Sequence, residues 1–383
     1  MIYLDNAATS FPKPPVVAEA MAAFLTHRAG NPGRSGHSLA MAAQAMVTEV
    51  RGLVAAFFGV ADSSRVVFGQ NATDALNLGL WGLCRPLDRV VATGLEHNAV
   101  ARPLSAMTER LGVTVAKVRC GPDGTLDLDE LDRLLRAAPT RLVVMSHASN
   151  VCGTILPVAE ATKLAHQHGA LLLLDAAQTA GVLPVDVRAL GVDLLAFPGH
   201  KGLLGPTGIG GLYVAPQVRL TAMRQGGTGT RSEEARQPDE LPEALEAGTL
   251  NTVGLAGLGA AIRFLRDRGL DAVREHEERL TSQLLDGLRA ISGVRIVGPA
   301  EAKRQVAVVS ITLEGWEPND VGAALDASFG VAVRPGLHCA PLAHQTLGTY
   351  PTGTIRLSPG VFTTAEEVDQ ALSALRQLMD SGA

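Results

Sequence analysis

Ala170-Leu-Leu-Leu-Leu-Asp175 is the stretch that most narrows the folds open to this chain. An unbroken apolar run without polar alternation describes a strand buried on both faces, and such strands belong to parallel sheets covered by helices. Related runs recur at Val66–Phe68, Arg89–Val91, Arg141–Met145 and Asp193–Phe197, and a further one at Leu212–Val214. The first three are followed by helical stretches starting near Asn71, Asn98 and Pro157. Strands and helices alternating at this spacing predict an α/β fold with a mostly parallel sheet between two helical layers. Ligands in such sheets bind beyond the carboxyl ends of the strands, so the residues after each run are the site candidates.

Two of those ends carry complementary groups. The leucine run closes on Asp175, and the next run leads through Pro198-Gly-His-Lys201 into the glycine-rich segment Gly202–Gly211. A lysine among small residues at the end of a buried strand has a lowered pKa and can attack carbonyls. Read by itself, Lys201 is equally well a solvated loop lysine. Paired with Asp175 it matches what pyridoxal 5'-phosphate requires, a Schiff-base lysine and a carboxylate that keeps the pyridine nitrogen protonated. A third candidate is Cys339, in Arg334-Pro-Gly-Leu-His-Cys-Ala-Pro-Leu342. A loop with glycine and two prolines is an unusual place for a packed cysteine, and positive charge on Arg334 and His338 would favour the thiolate.

These motifs together resemble the class V, fold-type I pyridoxal-phosphate enzymes, and among them the cysteine desulfurases and selenocysteine lyases. The resemblance is carried by Asp175-Ala-Ala-Gln178, Gly199-His-Lys201, Gly205-Pro-Thr-Gly208 and Arg334-x-Gly-x-His-Cys339, and extends from Tyr3-Leu-Asp-Asn-Ala-Ala-Thr9 to Arg356-Leu-Ser358. It implies that His97 stacks on the cofactor ring and assists proton transfer, and that Asn150 and Gln178 donate to the ring hydroxyl oxygen. It implies a phosphate held by the helix start at Ala72 and Thr73, by His200, and by Thr249 reaching across from the other subunit of a homodimer. Arg356 would grip the substrate α-carboxylate, with Asn150, His37 and Arg334 nearby. On local sequence His37 and His97 read equally as structural or capping histidines. Two positions depart from the usual pattern: Ala72 stands where many relatives have threonine, and Pro198 where they have a serine or threonine. Neither can offer a hydroxyl to the phosphate.

The activity so implied is removal of sulfur from L-cysteine, leaving L-alanine and a persulfide on Cys339 for a sulfur-acceptor or iron–sulfur scaffold protein. A selenocysteine lyase would use the same residues on L-selenocysteine, whereas a class V aminotransferase or epimerase would not need Cys339. A non-enzymatic pyridoxal-phosphate-binding protein would have no use for Arg356 or for the cysteine loop.

The 383 residues suffice for a large domain over 15–255 and a smaller α+β domain over 256–383, with segment 1–14 packing near the latter. Helices are expected from Gly254 through Leu265, over Leu280–Leu288 and Asn319–Ala327, and after the capping box Thr364-Ala-Glu-Glu367. Strands are expected at Val306–Thr312, Val331–Val333 and Thr354–Ser358. A net charge of −5 without basic runs gives no sign of a nucleic-acid or membrane surface. No signal-peptide pattern or uninterrupted transmembrane-length run occurs, and a cytoplasmic location is expected. Cys84, Cys120, Cys152 and Cys339 show no CxxC spacing, so free thiols are expected and no metal site.

Overall fold

In the computed structural model, residues 1–33, 36–230 and 233–381 are described. Arg34 and Ser35 lie outside them. The strands are β1 (Ile2–Tyr3), β2 (Val66–Gly69), β3 (Arg89–Thr93), β4 (Thr114–Val118), β5 (Leu142–Ser146), β6 (Leu171–Asp175), β7 (Leu194–Pro198), β8 (Gly210–Val214), β9 (Val294–Val297), β10 (Val309–Leu313), β11 (Val331–Ala332), β12 (Arg334–Gly336) and β13 (Thr354–Leu357). The helices are α1 (Pro15–His27), α2 (Ser38–Phe57), α3 (Ala72–Leu83), α4 (Asn98–Leu111), α5 (Leu128–Ala137), α6 (Val158–Gln167), α7 (Val187–Leu190), α8 (Thr252–Arg268), α9 (Leu270–Arg289), α10 (Pro318–Phe329), α11 (Pro341–Thr346) and α12 (Ala365–Ser381).

Seven strands form the main sheet in the order β2-β8-β7-β6-β5-β3-β4, and only β8 runs against the rest. Every residue of β5, β7 and β8 is buried, as the apolar runs require. Register sets the site: Ser146 pairs with Asp175, and Asp175 with Ala196, so three strands end side by side. Helix α3 crosses this sheet, and Gly79 lets it come down on Leu173 and Leu194, where a Cβ would lie 3.2 Å from the Leu173 side chain.

A second sheet, β12-β13-β10-β9, is antiparallel. Its core joins Val309, Ile311 and Leu313 to Leu284 and Leu288 of α9, Leu325 of α10 and Leu375 of α12. The capping box forms as expected, with Thr364 N–H donating to Glu367 at 2.8 Å and Glu367 N–H to Thr364 Oγ1 at 3.2 Å. The N-terminus belongs to this layer, because β1 pairs with β11 and Asp5 bridges to Ser358.

Several elements depart from the sequence expectations. The edge strand β4, helix α5, and strands β9 and β12 were not anticipated. β4 is half-exposed, so it lacks the apolar continuity that marks its neighbours. Helix α9 begins ten residues earlier than Leu280. The boundary expected between residues 255 and 256 falls inside α8, whose Leu255, Leu258, Ile262 and Leu265 join the core of the main sheet. Helix α2 has the length and mean hydropathy of a membrane span, but Glu49 and Arg51 interrupt it and Val47, Val50 and Val54 are buried.

One buried ion pair ties this layer to the loop before α8. Arg51 donates to both Glu246 oxygens at 2.6 and 2.9 Å and to Val66 O at 2.6 Å, with its guanidinium over the Phe68 ring. Glu246 also accepts Phe68 N–H at 2.6 Å. Replacing Arg51 by leucine strands the carboxylate, and we expect a loss of about 3–5 kcal/mol in urea unfolding. Adding Glu246→Gln to that variant should recover part of it.

Candidate active site

The carboxyl ends of β5, β6 and β7 open into a cavity of about 190 Å³ lined by Asp175, Lys201, His97, Asn150, Gln178 and the first residues of α3, among others. Burial dominates its electrostatics. It pushes Lys201 down to about 8, partly opposed by the Asp175 charge. It raises Asp175, while the Ala177 N–H at 2.9 Å and Lys201 pull that carboxyl back. A lysine held this way is neutral near pH 7 far more often than an ordinary lysine, which makes it a better nucleophile and base.

At the opposite end the cavity meets the start of α3. Asn71 caps that helix by accepting Asp74 N–H at 2.9 Å, leaving the Ala72 and Thr73 amides at the positive end of the dipole. A Cβ on Gly210 would lie 2.8 Å from the Asn71 backbone, so glycine is needed for β8 to run beneath this turn. Pro198 and His200 line the same wall. His200 is pushed down to about 4 by burial and by the charges of Lys201 and Lys13, and its buried Nδ1 has no hydrogen-bond partner. Helix dipole, Thr73 hydroxyl and a neutral histidine make a wall suited to a phosphate.

His97 caps α4, its Nδ1 accepting Ala99 N–H at 3.0 Å. Burial, then Lys201 and nearby arginines, push it down to about 4. It is therefore neutral near pH 7 with the proton on Nε2. Beside it in sequence stands Glu96, which no sequence motif marks. Its buried carboxyl accepts the Thr93 hydroxyl at 2.6 Å and both the N–H and hydroxyl of Ser146 at 3.1 Å, joining the ends of β3 and β5.

Arg356, on β13, reaches this region from the second sheet. Its Nη2 donates to Asp5 at 2.8 Å and its Nη1 to Asn150 O at 3.1 Å, while its buried Nε has no partner. An orphaned guanidinium N–H is a place for an anion. Arg334 lies 3.9 Å from Asp5 and is half-exposed. The side-chain amides of Asn150 and Gln178 are committed to the His338 and Ala7 carbonyls, at 2.8 and 3.1 Å. Each ties the cavity to a neighbouring segment as well as lining it.

Cys339 is exposed and lines an adjoining groove of about 630 Å³, which shares His97, Thr73 and Ala99 with the lysine cavity. Its loop is strained, with φ of 50° at His338 and 56° at Cys339. It is moored by Asn98 N–H donating to Cys339 O at 2.8 Å. The expected positive charge on His338 is absent. That ring is buried, and desolvation with Arg356 pushes it down to about 3. The Arg334 carbonyl must accept from His338 Nε2 at 3.0 Å, so His338 Nδ1 accepts from His344 Nε2 at 3.3 Å. His344 Nδ1 then accepts the Thr349 hydroxyl at 2.7 Å. Burial pushes His344 down to about 4 as well, so both rings of this relay are neutral near pH 7.

His37 is not brought to the cavity, and Thr249, expected to serve the site of another subunit, lies away from its own. His37 caps α2 from an exposed position, its Nδ1 accepting Ala40 N–H at 3.3 Å. Thr249 lines a separate recess of about 620 Å³ that also holds Arg51 and Glu246.

Fold and site define an α/β protein built around a desolvated lysine–aspartate pair, of the kind that carries pyridoxal phosphate. The family model described as Aminotransferase class-V matches residues 2–371, and the chain belongs to that family. A probable cysteine desulfurase of Methanothermobacter thermautotrophicus is 36% identical over 100% of this chain and 95% of its own length. A probable cysteine desulfurase of Mycolicibacterium paratuberculosis is 37% identical over the whole chain, which spans only 56% of that longer protein. Among solved structures, the apo cysteine desulfurase of Thermococcus onnurineus NA1 superposes with a TM-score of 0.90 at 34% identity, covering 99% of this chain and 95% of its own. The fold is that of the fold-type I enzymes.

Behind Lys201 lies a smaller cavity, of about 40 Å³, lined by Glu277 of α9, Asn6, Ser10 and Gln178. Burial pushes the Glu277 carboxyl up to about 8, with Arg274 opposing weakly. The folded protein thus keeps this proton to about pH 8, whereas the unfolded chain releases it near 4.5. Stability should fall across that interval by up to about 1.4 kcal/mol per pH unit. Urea unfolding of wild type and Glu277→Gln at pH 5, 6, 7 and 8 should show the variant gaining relative stability with each step and levelling off above pH 8.

Proposed function

We propose that this chain binds pyridoxal 5'-phosphate and is a cysteine desulfurase, converting L-cysteine to L-alanine with a persulfide left on Cys339. The observation that carries this reading is the exposed Cys339, in a groove sharing His97 and Thr73 with the Lys201–Asp175 cavity. An aminotransferase needs the second but not the first. When bound, pyridoxal phosphate supplies an electron sink that makes the substrate α-proton removable.

Asp175 would hold a proton on the ring nitrogen, and the α3 N-terminus, Thr73 and His200 would hold the phosphate. Arg356 orients the α-carboxylate, its Nε being the free donor. Lys201 Nζ, brought near neutrality by burial, takes the α-proton, and His97 Nε2 is placed to assist. The Cys339 thiolate then attacks the substrate sulfur. An S–S bond forms, the C–S bond breaks with its electron pair left on carbon, and a proton restored there completes alanine.

By the same reading Thr249, remote from its own cavity, serves the phosphate of a second copy, and the persulfide passes to a sulfur-acceptor or iron–sulfur scaffold protein. The large and small domains are best divided at Gly269, between α8 and α9, rather than at residue 255.

Purified protein should be yellow, and Lys201→Ala should lose the visible band while remaining folded. After exposure to L-cysteine, mass spectrometry should find added sulfur on the Cys339 peptide and on none holding Cys84, Cys120 or Cys152. Cys339→Ser should retain cofactor and bind L-cysteine without forming a persulfide. Wild-type rates of sulfide release from that variant would make the enzyme a simple lyase, amino-group transfer without sulfide release would make it an aminotransferase, and a strong preference for L-selenocysteine would make it a selenocysteine lyase. Arg356→Ala should weaken L-cysteine binding by about 2–5 kcal/mol, the range for truncating a buried charged pair.

A further inference from the structure

The residue before the lysine is held in an unusual way. The carbonyl oxygen of His200 faces four donor atoms, all on one short stretch of N-terminal chain: Thr9 Oγ1 at 3.1 Å, Ser10 N–H at 3.1 Å, Lys13 Nζ at 2.7 Å, and Ser10 Oγ at 3.2 Å, whose single proton is shared with the Lys201 carbonyl. A carbonyl has two lone pairs, so this oxygen is saturated. The ammonium makes the shortest contact, and a charged donor is the strongest of the four. Lys13 also donates to Ser10 Oγ at 2.6 Å, and that hydroxyl lies 3.0 Å from the Lys201 carbonyl.

Lys13 is not an ordinary surface lysine. It is half-buried, and burial pushes it down to about 8. Among the described residues no carboxylate pairs with it. A partly desolvated ammonium has therefore been placed on a backbone carbonyl where an ion pair would be the usual compensation.

The oxygen concerned belongs to the peptide unit between His200 and Lys201. Because that unit is planar, fixing its carbonyl limits ψ of His200 and φ of Lys201, and so the direction in which the lysine side chain leaves the backbone. The rest of the loop is closed on itself or on β8, through Gly199 N–H to Ile209 O, Leu204 N–H to Lys201 O and Gly205 N–H to Gly199 O, each at 2.8 Å. These bonds shape the turn without fixing the His200 carbonyl. That role falls to residues 9–13, whose own position is set by Tyr3 O–H donating to Thr9 O at 2.9 Å and by Asn6 and Ala7 donating to Ser358 at 3.0 Å.

We propose that Lys13 is a positioning residue for Lys201: its ammonium, with Thr9 and Ser10, locks the His200–Lys201 peptide and so holds the ε-amine at the end of the cavity. The inference rests on the reading that Lys201 carries the cofactor, but its first test does not. In cofactor-free protein, amide exchange at residues 199–204 should be about tenfold faster in Lys13→Met than in wild type, roughly the worth of one charge-assisted hydrogen bond. The central strands should exchange as in wild type. In cofactor-loaded protein, Lys13→Met should release pyridoxal phosphate about tenfold faster and lower kcat, with KM for L-cysteine little changed. Lys13→Arg, which keeps the charge, should restore both. Wild-type exchange and cofactor retention in a folded Lys13→Met variant would overturn the proposal, as would a Lys13→Arg variant no better than Lys13→Met. If Lys13→Met does not fold, Ser10→Ala removes one donor from the same oxygen, and wild-type behaviour there overturns it equally. Failure of wild type to take up cofactor would count against the proposed function, while exchange in the cofactor-free protein would still decide the part played by Lys13.

Discussion

The site depends on the removal of water from two groups at the ends of neighbouring strands. Burial raises the acid, Asp175, and lowers the base, Lys201, so the two move toward each other on the pH scale. Their mutual attraction opposes both shifts without cancelling them. The physical origin is the sheet itself. Asp175 closes a run buried on both faces, and β7 beside it brings the chain to Pro198 before the lysine loop turns away. A solvated lysine with an ordinary pKa would be neither a good nucleophile nor a good base near neutral pH.

The cavity is not built by the main sheet alone. Arg356 comes from the second sheet and is held by Asp5 of the N-terminal segment and by Asn150 after β5. Asn150 donates to the cysteine loop through His338 O, and Gln178 donates to Ala7 O. The N-terminal segment thus touches the arginine, the glutamine and the lysine loop within thirteen residues. This stretch is one link between the two sheets, beside the direct ones from Asn150 and from the Ser310 hydroxyl, which donates to Val151 O at 2.6 Å.

The cysteine loop follows a different logic. It is strained at His338 and Cys339, moored at Asn98 and organised by a relay of neutral histidines. What this loop achieves is exposure. Cys339 stands at the surface of a groove, whereas Cys84 and Cys152 are buried and their thiols are pushed up by burial. Of these three thiols, only Cys339 is exposed.

Much of this was legible in the chain. Apolar runs without alternation determine strands buried on both faces, because a side chain on either face then meets a helix rather than water. That pattern located β2, β3, β5, β6, β7 and β8, and with them Asp175 and Lys201. The half-exposed edge strand β4 lacks this continuity and carries no such signal. Other features have no local signature at all. Protonation of His338 depends on its burial and on the nearby charge of Arg356, and sequence distance says nothing of either. The placement of His37 and Thr249 away from the cavity depends on how α2 and the loop before α8 pack. Lys13 and Glu277 read as unremarkable surface charges until the fold buries one against the lysine loop and the other behind it. Sequence determined which strands form and which chemical groups end them. Desolvation and convergence were decided only by tertiary structure, since both are properties of what surrounds a group rather than of the group itself.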